Sequence, residues 1–260
     1  MRVRIAILAK APVPGQVKTR LGRRVGDRAA AGLYTRMLRD VAAMVQGAAG
    51  GPVTLWHTPV RHPLLTGLAR HHGFDLASQP RGPLGARLRA IARESLRDSE
   101  AVLMVGGDCI GLGPAHIRAA RRCLAEGLEA VFAPAPDGGY TLVGLTRRVP
   151  RLFQGIDWGT PAVMGQTLAA GRRGKVRLGL IAPANDLDDW ADLRRWRREA
   201  GSEVIWRRQP RGGYDAAARA TLGAGGGNRT RTLLREPDFE SGASTSSATP
   251  ARSAEYNRPE

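Results

Sequence analysis

Four stretches of this chain carry side chains able to do chemistry on a phosphorylated molecule. The first is Lys10-Ala11-Pro12-Val13-Pro14-Gly15-Gln16-Val17-Lys18-Thr19-Arg20-Leu21. Its prolines restrict the loop, so less entropy is lost on binding. Gly15 lets the backbone come close to a ligand. Lys10, Lys18 and Arg20 form a cationic cluster, in which Lys18 acts as a point charge and Arg20 as a planar fork for phosphate oxygens. The second stretch is Val105-Gly106-Gly107-Asp108-Cys109. A carboxylate just past a buried strand can hold Mg²⁺ or Mn²⁺ against a diphosphate, or it can cap the turn.

The third stretch is Pro136-Asp137-Gly138-Gly139-Tyr140. Asp137 could bind a hydroxyl or act as a base, while Asp-Gly and Gly-Gly also spell an ordinary hairpin turn. The fourth is Asn185-Asp186-Leu187-Asp188-Asp189 with Asp192. In an extended segment Asp186 and Asp188 face the same way, and one could give a second metal contact. Capping of the next helix by Asp188 or Asp189 is the competing role. Arg87 could reach a phosphate or be solvated. Trp158 could stack on a base or sugar, or fill the core. The five histidines show no metal-ligand spacing, and the loops of phosphate-loop NTPases, dinucleotide enzymes and serine hydrolases are missing.

These residues need a scaffold, and the pattern alternates strand with helix. Strands are expected at Val3–Ala9, Val53–Trp56, Phe74–Ala77, Ala101–Val105, Ala130–Ala133, Tyr140–Leu145 and Val176–Ile181. Helices are expected at Asp27–Val45, Leu64–His71, Leu84–Leu96, Ala115–Glu126, Pro161–Ala170 and Asp189–Arg198, and a helix-like pattern follows the first loop. This alternation predicts an α/β fold with a mostly parallel central sheet and helices on both faces. Ligands then sit beyond the carboxyl ends of the strands, where Asp108 stands. One domain is expected over residues 1–222. From Gly223 to Glu260 the apolar periodicity stops, and a low-complexity tail that cannot bury enough surface to order itself is expected.

The net charge of +17 resembles that of a nucleic-acid binder. However, 37 of the 40 basic residues are arginine, spread along several helices, the only lysines being Lys10, Lys18 and Lys175. Solvated faces account for that pattern, and no specific nucleic-acid partner is expected. Two cysteines make no disulfide framework. With no signal-peptide core and no membrane-length apolar run, a cytoplasmic protein without a membrane partner is expected.

The segments also match a known family in order, from Val3 to Arg198. The chain resembles the bacterial GT-A-fold proteins of the arsenosugar-biosynthesis glycosyltransferase type, formerly a domain of unknown function and related in fold to nucleotidyltransferases. The likeness rests on Ala9 to Gly15 with Val17 to Leu21, Leu84-Gly85 with Arg87, Gly107-Asp108-Cys109 with Gly111-Leu112, Pro136 to Tyr140 with Gly144-Leu145, Trp158 to Pro161, and Asp186-Leu187-Asp188 with Asp192-Leu193. It departs from the family text at Gly106-Gly107, Ile110 and Trp190-Ala191.

The resemblance implies a transferase with a nucleotide-activated donor and a small-molecule acceptor. Lys10, Gly15, Lys18, Arg20 and Arg87 would bind the donor nucleotide, and Asp108 and Asp188 would hold Mg²⁺ or Mn²⁺. Asp108 and Asp137 would be catalytic, and Gly138, Gly139, Tyr140 and Trp158 would line the acceptor side. Glycosyl transfer from a nucleotide sugar is the leading expectation. Nucleotidyl transfer with pyrophosphate release is the alternative, and non-catalytic polyanion binding ranks below both.

Overall fold

The computed structural model describes residues 1–58, 62–146 and 150–199, with one pair of two-residue strands at 207–208 and 214–215. The elements run β1 (Val3–Lys10), α1 (Thr19–Val25), α2 (Asp27–Ala48), β2 (Val53–Thr58), α3 (Pro63–His72), β3 (Asp75–Ser78) and α4 (Leu84–Ser95). They continue with β4 (Ala101–Gly106), α5 (Pro114–Ala125), β5 (Ala130–Pro134), β6 (Tyr140–Leu145), α6 (Val163–Arg173), β7 (Leu178–Leu180) and α7 (Trp190–Glu199). The expected alternation is therefore present, with bounds moved by a few residues. A 3₁₀ turn at Pro150–Phe153 has no counterpart in the sequence reading. The helix expected from Pro161 begins at Val163, because Thr160 Oγ accepts from the Ala162 N–H and holds the preceding residues in a turn.

Seven strands form one sheet in the order β3-β2-β1-β4-β6-β5-β7. All pairs are parallel except those of β6, which runs antiparallel to both β4 and β5. Alternate side chains of each strand enter opposite cores, as the pleat requires. Ile5, Ile7, Leu103, Val105 and Val131 face the helices α2, α3 and α5. Ala6, Val102, Met104, Phe132 and Val143 face α4, the 3₁₀ turn and α6. A third cluster joins Leu21 of α1, Leu33 and Met37 of α2, and Leu187 and Leu193 around α7.

The strand order reverses direction between β1 and β4. From β1 the chain goes on to β2 at one flank and from β4 to β5 and β6 at the other, so the crevice beyond the carboxyl ends of β1 and β4, the usual ligand position in open α/β sheets, lies at this point. The loop after β1 and Asp108 after β4 flank this crevice. Because β6 is reversed, its first residue, Tyr140, lies at the same edge where the parallel strands end. The tail boundary at residues 222 and 223 lies outside the described residues. No described helix is long and apolar enough to cross a membrane.

Candidate functional site

The first loop leaves β1 through a turn in which the Gln16 N–H donates to the Val13 carbonyl at 3.0 Å. Pro14 and Gly15 occupy its centre, with Gly15 at φ +77°. Proline first and a positive-φ glycine second is the chemistry of a type II turn. Gly15 thus acts on the loop's shape. Val17 is buried and pins the loop to the core, and Lys18 follows as the N-cap of α1.

Lys18 holds a left-handed backbone, φ 48° and ψ 43°, which a non-glycine residue adopts only at a cost. The side chain shows what offsets that cost. Its ammonium lies 2.7 Å from Asp108 Oδ2 and 2.7 Å from Asp188 Oδ1, and the side chain is only 4 % exposed. Burial opposes the charge on Lys18, but the two carboxylates outweigh it and hold its pKa well above the ordinary 10.5. Burial would likewise raise Asp188, yet Lys18, with Arg20 and Lys10 nearby, keeps that carboxyl below its usual 3.8. The expected phosphate ligand and the two expected metal ligands are therefore joined to one another.

The fourth stretch divides its labour. Leu187 is fully buried, which fixes the segment. Asp189 Oδ1 accepts from the Asp192 N–H at 3.0 Å, and Asp192 Oδ2 accepts from the N–H groups of Asp188 and Asp189 at 3.0 and 3.2 Å. Capping thus falls to Asp189 and Asp192, and the Asp188 carboxylate is left for Lys18. Asp186 faces elsewhere, into the neighbouring cleft. Burial, with the charges of Asp188, Asp137 and Asp108, raises its pKa to about 6.

That cleft has a volume of about 270 Å³ and is walled by Leu8, Leu88, Met104, Tyr140, Trp158 and Val163, with Asp137 and Asp186 among its lining. Gly139 also lines it. Gly138 does not: its φ is +85°, a Cβ there would strike the Pro161 backbone, and its carbonyl accepts from the Met164 N–H at 2.8 Å. It fastens the hairpin to the start of α6. Asp137 belongs to the turn and also lines the cleft. One oxygen accepts from the Gly139 N–H at 2.9 Å as a turn residue, while the exposed carboxylate still reaches the cleft. Trp158 is at once wall and core, its ring 6.2 Å edge-on from Tyr140 and its Nε1 beside Gly85.

Lys10 and Arg20 are exposed at the crevice. The Lys10 N–H donates to the Tyr34 hydroxyl at 2.8 Å. Arg87 stands apart from Lys18. Its guanidinium donates to Gln79 Oε1 at 3.1 Å, and the Gln79 amide in turn donates to the Ala9 and Trp56 carbonyls at 3.1 and 3.0 Å. Its buried Nε has no partner. Sequence reasoning passed over Gln79 and Tyr34, because a lone amide in a loop and a lone phenol in a helix carry no spacing signal. Asp186 was visible only as half of an alternating pair.

The donor set is right in kind for a hard divalent ion. Asp108 and Asp188 offer only oxygen, and they already converge on one cation, the Lys18 ammonium. Among the described residues no group of three or more His, Cys, Asp or Glu is placed to hold a metal. Magnesium commonly takes one or two carboxylates and completes its shell with substrate phosphates and water, so a pair is sufficient.

Comparison with known proteins agrees with this architecture. Residues 41–160 match the family described as an uncharacterized protein conserved in bacteria, DUF2064. That span includes Arg87, Asp108, Asp137 and Trp158 but neither the Lys18 loop nor Asp188. No curated protein sequence matches. A candidate nucleotide-diphospho-sugar transferase from Desulfovibrio desulfuricans G20 superposes with a TM-score of 0.69 at 29% identity, over 79% of this chain and 90% of that one. A 4-diphosphocytidyl-2C-methyl-D-erythritol synthase from Anaerococcus prevotii DSM 20548 shares the fold at 7% identity and TM-score 0.53, over 77% of this chain and 99% of that one. A CMP:2-keto-3-deoxy-manno-octonic acid synthetase complexed with CTP does so at 10% identity and 0.52, over 78% and 100%. The fold is the one used by nucleotide-diphospho-sugar transferases and cytidylyltransferases, and the GT-A-type resemblance read from the sequence stands.

Proposed function

We propose that this chain is a metal-dependent transferase that moves a glycosyl group from a nucleotide sugar to a small-molecule hydroxyl. One observation carries the reading: Asp108 and Asp188 close on a single cation at the crevice between β1 and β4. An arrangement that binds one cation between two carboxylates, beside exposed Lys10 and Arg20, suits a nucleotide diphosphate. Asp108 and Asp188 would hold Mg²⁺ or Mn²⁺ with the donor's own phosphates, and the ion would offset charge on the departing diphosphate.

The remaining work falls to the chain's own groups. Lys10 and Arg20 hold phosphate oxygens from the open side. Lys18 can exchange its carboxylate partners for phosphate oxygens. Trp158 and Tyr140 give the acceptor an aromatic wall. Asp137 orients the acceptor hydroxyl, and Asp186 takes its proton as oxygen bonds to the sugar carbon and the carbon–diphosphate bond breaks. A carboxyl with a pKa of about 6 is a better proton acceptor near neutral pH than an ordinary one.

A thermal-shift screen against nucleoside triphosphates and nucleotide sugars, with and without Mn²⁺, tests this. Stabilisation that requires metal and disappears in Asp108→Ala is expected. A folded wild type that responds to none of these ligands would sink the reading. The fold shared with the two cytidylyl enzymes supports nucleotidyl transfer as a second reading. Release of pyrophosphate from a triphosphate donor would establish it in place of the first.

A further inference from the structure

The cleft beside the cation site has an unusual balance of charge for a protein carrying +17 overall. Among its lining residues that the structure describes there is no lysine, arginine or histidine. Two carboxylates, Asp137 and Asp186, stand at its polar end. The buried cation Lys18 is already shared between Asp108 and Asp188. Apart from Thr141 and Thr160 the rest of the wall is apolar or aromatic, with the Tyr140 and Trp158 rings set edge-on to each other. The volume of about 270 Å³ is at the small end for a ligand pocket.

A phosphomonoester or carboxylate entering this space would meet two like charges and would give up its hydration with no cation in return. A neutral polyol fits better. Its hydroxyls can donate to Asp137 and Asp186, and its C–H face can lie on the Trp158 ring. We propose that the acceptor is an uncharged, hydroxyl-bearing molecule of one or two rings with an apolar or aromatic face, and that the acid pair excludes phosphorylated acceptors. This rests on the reading of the cleft as the acceptor side. It also separates the two transfer reactions, since an enzyme that couples a nucleotide to a phosphorylated acceptor needs cations where this cleft has acids.

Phenyl β-D-glucopyranoside and phenyl phosphate share a ring and differ in charge, which makes them a suitable probe pair. Saturation-transfer NMR titrations of both against the full chain would measure the preference directly. The glucoside is expected to bind at least about tenfold more tightly than phenyl phosphate. In the double variant Asp137→Asn with Asp186→Asn that gap should close to about threefold or less, and Trp158→Ala should weaken the glucoside. The asparagine variant keeps side-chain size, so it tests the charge even if Trp158→Ala fails to fold. A preference for phenyl phosphate in the wild type, no saturable contact with either probe, or an unchanged gap in the double variant would overturn the proposal.

Nucleoside diphosphate binding with Mn²⁺ is measured on the same samples. Loss of that signal with the glucoside preference intact would defeat the transferase reading alone. The reverse pattern would defeat the acceptor assignment alone.

Discussion

Lys18 combines a strained N-cap in its backbone with an ammonium that is counter-ion to both Asp108 and Asp188. Replacing it by methionine keeps the length and removes the charge. Lys18→Met is expected to lose roughly 1–3 kcal/mol in urea unfolding at pH 7, since breaking a buried ion pair leaves its partners uncompensated and both acids here are partly solvated. The loss should shrink in acid. Asp188 is held below its ordinary carboxyl value, so its contribution is present above about pH 4 and fades as pH falls through the native value. Asp186 behaves in the opposite sense. Its native pKa of about 6 exceeds the ordinary 3.8, so the folded state binds the extra proton and stability declines as pH rises from about 4 to 6. Melting temperatures in chelator-containing buffer should show that decline in the wild type and a flatter profile in Asp186→Asn. A decline of equal size in the variant would assign it to another group.

At the scale of elements, the short motif strings depend on what anchors them. α7 is a case in point: Asp189 and Asp192 cap it, and Leu187 and Leu193 seat it against α1 and α2. Asp192→Ala removes acceptors from two backbone N–H groups and is expected to cost about 1 kcal/mol. It should also loosen the Asp188 contact with Lys18, seen as faster exchange of amides around residue 188. The hairpin depends on Gly138 in the same way. Gly138→Ala combines a left-handed backbone with a collision against Pro161, and a loss of about 2 kcal/mol or more is expected in denaturant unfolding.

The sequence disclosed these elements well wherever apolar spacing was regular, as in α2, β1 and β4. Asp108 could be found because glycines and a buried strand precede it. What could not be read was pairing across distance. Nothing in the text says that Lys18 bonds residues 90 and 170 positions away, that Gly138 serves Pro161 rather than the cleft, or that Gln79 ties Arg87 to β1. Those facts follow from strand order, which local periodicity does not encode.

At the scale of the molecule, the charge of +17 and the acidic cleft describe different parts of one surface. Distributed arginine predicts weak retention on heparin that falls steeply with salt and is indifferent to Asp108→Ala. Retention that depended on Asp108 would contradict the separation of surface charge from the site. The composition of residues 223–260 leads to one more expectation: a chain ending at Leu222 should melt within about 2 °C of the full chain.

The reversed strand β6 has a consequence for how such a protein can change. The cation-holding groups come from the loop after β1, the end of β4 and the segment before α7, whereas the cleft's aromatic wall comes from the β5–β6 turn and the stretch just before α6. On the proposed reading of the cleft as the acceptor side, substitutions between Pro134 and Tyr140 that spare Gly138, or around Trp158, are expected to reshape what is accepted while leaving the Lys18 bridge untouched. In evolutionary terms the molecule is modular at a seam one strand wide, and a library confined to those two turns is the economical route to a new acceptor range.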